Sequence, residues 1–171
     1  MEVCQAPWRT PLVISGRPTV GALMSLCEEN YRALRRMIPA LRSVRGEVRS
    51  TLGGGLDLHL EILEQSRYTT LLRLTYFFPY SDGRVHRTLE PDPDALLRAY
   101  HDAGQVEVVD LLETVLPIHS HYQSPALEAK WKVNLFLSKW LAYCERQGHR
   151  FSGHSEPSAG AVSESFLSTC R

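Results

Sequence analysis

Cysteine is scarce in this chain. Of 171 residues only Cys4, Cys27, Cys144 and Cys170 are cysteines, and no two form a CxxC pair. That removes the zinc-ribbon and thioredoxin-like motifs, and a chain of this length buries a core without disulfide staples. Long apolar runs are missing too. No stretch approaches the roughly 20 residues that span a bilayer. The opening MEVCQAPWRTPLVISGRP has no basic segment followed by a continuous apolar one, as a secretory leader would. The cysteines therefore read as reduced thiols of a cytoplasmic protein with no membrane partner. Charge of one sign is not in excess: Lys+Arg and Asp+Glu are both 19. Net charge thus makes no case for nucleic acid, without excluding it. There is no G-x-S-x-G elbow for a serine nucleophile. Gly53-Gly54-Gly55 leads into the alternating LDLHLEIL rather than into a helix, so it lacks the N–H groups of a phosphate-cradling loop. His119-x-His121 offers two imidazoles and no third ligand at a suitable spacing. Neither a metal nor a cofactor is expected.

What is present is an ordinary globular composition, 43% hydrophobic and 22% charged. Residues 1–17 read as an extended arm, 18–150 as a single domain and 151–171, rich in Ser, Gly and Ala, as a disordered tail. Pro18-Thr19 opens a helix with Thr19 as N-cap. Its apolar positions Leu23, Leu26, Cys27, Leu34, Met37 and Ile38 recur at helical spacing with Asn30 among them, and Pro39 limits its end. Leu56, Leu58, Leu60 and Ile62 alternate with polar residues as a strand does. A second strand over 67–78 follows a turn at 64–67 and stops at the turn-rich Pro79-Tyr80-Ser81-Asp82-Gly83. A short edge strand fits within 84–94, and a hairpin fits strands near 95–101 and 106–112. Ser124-Pro125 begins a last helix, with Val133, Phe136, Leu137, Trp140, Leu141 and Cys144 as its buried stripe and Gly148 as its stop. The expected fold is α+β: an antiparallel meander of about four to five strands, with an N-terminal and a C-terminal helix on one face.

Four blocks carry a family resemblance: LCEENYRALRRMIP (26–39), EQSRYTT (64–70), RAYHDA (98–103) and NLFLSKWLAYC (134–144). Together the chain resembles the YqiB-like family, small cytoplasmic proteobacterial proteins grouped as a domain of unknown function. The resemblance covers about residues 20–150. It implies no activity, substrate or catalytic residue.

Candidate sites come from the residues themselves. Six arginines, Arg32, Arg35, Arg36, Arg42, Arg45 and Arg49, share a segment with one acid, Glu47. The end of the first helix, Arg32, Arg35 and Arg36, is a candidate basic patch, weighed against a plain solvated face. In AYHDAGQVEVVDL (99–111), a two-residue turn at Ala103-Gly104 sets Tyr100 opposite Glu107 and puts Arg98 on the same face. Arg98, Tyr100 and Glu107, with Arg67 and Tyr68 at the other hairpin turn, are the ligand- or anion-binding candidates. The expected core of that group is an Arg98–Glu107 pair. His101 points to the opposite face from Asp102, so the two are no catalytic dyad, and His101 reads as a hydrogen-bonded core histidine. No nucleophile, general base and oxyanion donor come together, so no catalytic residue is assigned. The favoured reading is a non-enzymatic binding or regulatory module, with a protein or a small anionic ligand as partner. The alternative is an enzyme acting on a nucleotide or other phosphate-containing molecule. An enclosed polar pocket holding Arg67, Arg98 and Glu107 would favour the enzyme, and a flat polar surface the module.

Overall fold

The computed structural model describes residues 18–81, 87–112 and 126–151, without the side chains of 80, 81, 87 and 88. The expected arm, the tail from 152 onward, His119 and His121, and the Ser124-Pro125 cap lie outside the described residues. Helix α1, Val20–Met37, starts where Thr19 Oγ1 accepts from Ala22 N at 3.1 Å. It ends ahead of Pro39, with Ile38 N donating to Leu34 O. Its buried stripe is Leu26, Cys27, Asn30, Ala33, Leu34 and Met37.

Five antiparallel strands follow in chain order, β1 (Glu47–Ser50), β2 (Leu58–Gln65), β3 (Thr69–Ser81), β4 (Arg87–Tyr100) and β5 (Gln105–Leu112). Each pairs with its sequence neighbour, giving the order β1-β2-β3-β4-β5. The meander of the sequence reading is thereby present, with both helices. The pleat sorts the side chains. Leu58, Leu60, Leu72, Leu74, Ala95, Leu97, Ala99 and Val106 are fully buried and share one face, and α1 and α2 (Ala126–Gln147) close the core above it. Glu61, Arg73, Asp94, Arg98 and Glu107 belong to the other face.

Several boundaries differ from the sequence reading. β1 lies in a stretch to which the sequence assigns no element, because four residues carry too little alternation to announce a strand. β4 is one strand of 14 residues rather than a short edge piece plus a hairpin arm. Its prolines are tolerated because β5 pairs only from Asp94 onward. Pro91 and Pro93 thus sit where, among the described residues, no strand on that side needs an N–H. β3 likewise runs on through Pro79 to Ser81. The β4–β5 turn is four residues, His101–Gly104, with Gly104 at φ 61, a left-handed position that suits glycine. Tyr100 therefore faces Gln105, and Arg98 faces Glu107. The expected register was off by two residues, and with a period of two the face of every side chain survives that shift.

α2 closes with a Schellman motif: Gly148 (φ 96) N donates to Glu145 O at 3.0 Å and His149 N to Cys144 O at 3.1 Å. The chain then straps across the core. Arg150 N donates to Ser50 Oγ, Phe151 N donates to Met37 O, and Phe151 is buried.

Candidate functional site

Helical periodicity splits the arginines of α1. Arg32 and Arg36 lie one turn apart on one stripe. Arg32 pairs with Glu28 at 3.3 Å, and Arg36 Nε and Nη2 meet the Glu145 carboxylate of α2 at 2.7 and 3.0 Å. Their charge is already matched. Arg35 falls on a different stripe, one turn after Tyr31, and its charge acts on His101 of the β4–β5 turn. Arg42, in the connection from α1 to β1, donates to Arg67 O at 3.1 Å. The Arg67 guanidinium lies 5.3 Å from the centre of the exposed Tyr68 ring. Among the described residues Arg35, Arg42 and Arg67 form no ion pair. The end of α1 with its following connection, and the β2–β3 turn, thus bring three guanidinium groups without an ion pair among the described residues to one end of the sheet.

His101 sits among them. Its backbone N donates to Tyr68 O at 2.8 Å, tying the two hairpin tips together. Nδ1 is 3.0 Å from Tyr31 Oη, and Nε2 is 2.8 Å from Oγ1 of the fully buried Thr70. Burial holds the imidazole pKa below its ordinary value. Arg42 and Arg35 add to that effect, and Asp102 opposes it. His101 is thus hydrogen-bonded, as the sequence suggests, and belongs to the basic cluster as well.

Arg98, Tyr100 and Glu107 stand apart from this cluster, at the β5 edge. Glu107 takes its ion pair from Lys130 of α2, at 3.1 Å, and accepts from Tyr100 Oη at 2.7 Å. The expected Arg98–Glu107 pair is not among the ion pairs of the described residues. A helix passing beside the edge strand brings a closer cation, which sequence spacing cannot foresee. Desolvation, followed by the Glu107 contact, raises the Tyr100 phenol pKa, and Arg98 works against the rise. A pocket of about 170 Å³ opens here, lined by Leu23, Met24 and Cys27 of α1, Tyr100, Gln105, Val106 and Glu107 of the hairpin, and Lys130 and Asn134 of α2. It is smaller than the roughly 300–1,000 Å³ of ordinary ligand sites. Its polar groups are largely engaged with one another. Asn134 Oδ1 accepts from Val108 N at 3.2 Å, and its Nδ2 donates to Lys130 O at 2.8 Å. Cys27 is pushed up to about 11 by burial, so its thiol stays protonated. Arg67 and Arg98 do not line the pocket. Among the described residues, no group of three His, Cys, Asp or Glu side chains is placed to hold a metal.

The sequence candidates therefore fall into three places: Arg67 and Tyr68 with Arg35 at the hairpin tips, Tyr100 and Glu107 with Arg98 near the β5 edge, and Arg32 and Arg36 in ion pairs. Arg42, Tyr31 and Thr70 were missed as members of the first group. Tyr31 and Thr70 each lie inside a family block, but only the fold brings them to His101.

Residues 33–150 match the family model described as Protein of unknown function (DUF1249). The chain belongs to this family. It is also 31% identical over 136 residues to the Uncharacterized protein YqiB of Escherichia coli (strain K12), covering 77% of this chain and 91% of the relative. The same figures hold for the YqiB protein of Escherichia coli O157:H7. The resemblance carried by the four sequence blocks is borne out. No solved structure matches the chain. No described helix is long and apolar enough to cross a membrane.

Proposed function

We propose that this protein is a non-enzymatic cytoplasmic module that binds a phosphate- or carboxylate-bearing ligand at the hairpin tips, through Arg35, Arg42 and Arg67. The observation that carries the reading is the convergence of these three arginines, none of which forms an ion pair among the described residues, while Arg32 and Arg36 on the same helix are paired. Guanidinium groups grip such anions with charge-assisted, often forked hydrogen bonds. The enzyme reading lacks an equivalent support. Both nitrogens of His101 are occupied by hydroxyls, and burial pushes the Cys27 and Cys144 thiols up to about 11. Among the described residues, His101 is thereby not free as a general base, and Cys27 and Cys144 are not thiolate nucleophiles. A cytoplasmic setting accords with two buried cysteines that remain free thiols.

Calorimetric titration with inorganic pyrophosphate tests the reading. Arg42→Ala and Arg67→Ala should each weaken binding about tenfold, a loss of roughly 1.4 kcal/mol. Arg36→Ala, whose charge Glu145 already engages, should leave affinity within about twofold. An equal loss in Arg36→Ala, or no binding by the unaltered protein, overturns the proposal.

A further inference from the structure

The arginine cluster rests on a chain of hydrogen bonds that begins in the sheet and ends at its surface. Arg45 Nη1 donates to Gln65 Oε1, which fixes the orientation of that amide. Gln65 Nε2 then donates to Leu41 O at 3.0 Å and to Thr70 Oγ1 at 3.3 Å. Thr70 is fully buried, and beyond Gln65 its hydroxyl has one other partner among the described residues, His101 Nε2 at 2.8 Å. A buried hydroxyl proton with no acceptor costs about 1–3 kcal/mol. Thr70 therefore donates to Nε2, which must be the bare nitrogen of a neutral ring. The ring proton is then on Nδ1 and is donated to Tyr31 Oη at 3.0 Å. Tyr31 accepts there, so its own O–H is directed away from the ring.

Tyr31 is only partly buried and lies one helical turn before Arg35. Its ring lies against the β4–β5 turn, 3.9 Å from where a side chain on Gly104 would begin. Arg35 and Arg42 both act on the imidazole from the side of α1 and its following connection, and Asp102 from the turn itself. We propose that Tyr31 is a ligand-contacting donor of the anion site, and that Thr70 and His101 are positioning residues that hold its hydroxyl proton outward. This inference rests on the anion-binding reading above and deepens it. The site would take an oxyanion able to accept one neutral O–H alongside several guanidinium N–H groups. A chain in which every link donates toward the ligand also polarises its last member, which strengthens that final bond. The depressed imidazole pKa keeps the ring neutral at physiological pH, consistent with this arrangement.

Two measurements test it. Nitrogen-15 NMR of the ligand-free protein reads the His101 tautomer directly. The Nδ1–H form is expected, and an Nε2–H form overturns the inference whatever the protein binds. Pyrophosphate titration then reads the contact itself. Tyr31→Phe should weaken binding about fivefold to tenfold without displacing Arg35. Thr70→Val removes the donor to Nε2 and frees the ring to accept from Tyr31, so it should weaken binding to a similar degree although Thr70 is buried. Thr70→Ser should restore it. Unchanged affinity in Tyr31→Phe, or a Thr70→Val loss that Thr70→Ser does not restore, overturns the inference while leaving the arginine site standing. Failure of the unaltered protein to bind removes both.

Discussion

Asp94 is a carboxylate in an uncomfortable place. It lies on the face opposite the helices, with its side chain only 14% exposed. Arg73 Nε is 3.4 Å from its Oδ1, close enough to pair but not aligned as a hydrogen bond. Arg73 also serves Glu61 at 3.4 Å. Burial raises the Asp94 pKa, Arg73 opposes the rise, and Asp110 and Glu61 reinforce it. A raised carboxyl pKa means that the folded chain binds more protons than the unfolded one above the ordinary value of 3.8. Stability therefore falls as pH rises through that window. Asp94→Asn should stabilise the protein at neutral pH by about 0.5–1 kcal/mol, within the range that charge optimisation commonly yields. It should also flatten that part of the pH profile. Denaturant unfolding at several pH values checks both, and a destabilised variant would show that the Arg73 contact outweighs desolvation.

Among the elements, α2 does more than cover the sheet. Asn134 accepts from the outward N–H of Val108 on the edge strand β5, and its backbone carbonyl accepts from Asn30 Nδ2 of α1 at 2.9 Å. One residue thus joins α2 to α1 and to the sheet. Asn134→Leu fills similar space but leaves the Val108 N–H without its acceptor, at a cost of roughly 1–3 kcal/mol. A loss in that range by chemical denaturation is expected, and a neutral result would mean that another group takes up the bond. This part of the molecule also shows where sequence ceases to inform. The stripes of α1 and α2 and the alternation of β2 were legible because their periods repeat several times. β1 was not, since Val48 and Ser50 are too few to form a pattern. The site was half legible. Arg67, Tyr68 and Arg35 could be named from residue type. Arg42 could be counted among the clustered arginines but not assigned to the patch, and Tyr31 could not be singled out, because only the meeting of three connections makes them neighbours. The Glu107 pair went astray for the same reason, as Lys130 arrives from an element that sequence spacing does not place.

On the scale of the whole molecule, the sheet is assembled from neighbours. Every strand pairs with the one before it, so the meander closes through local hairpins alone. Among the described residues, the contacts that reach across the chain include those of α1 with α2 and with β5, and the strap in which Phe151 N meets Met37 O. Folds dominated by local pairing close their loops at low entropic cost.

The order of synthesis gives the cover over β5 another consequence. An edge strand with open N–H groups is a template for other chains. β5 precedes α2 in the chain, so at about 5–20 residues per second the Val108 N–H waits on the order of seconds for the Asn134 side chain that accepts from it. Chains released after Leu112 should therefore sediment as aggregates in a chaperone-free translation reaction, while the full-length product stays in the supernatant. A freely suspended truncated chain would show that the sheet protects its own border.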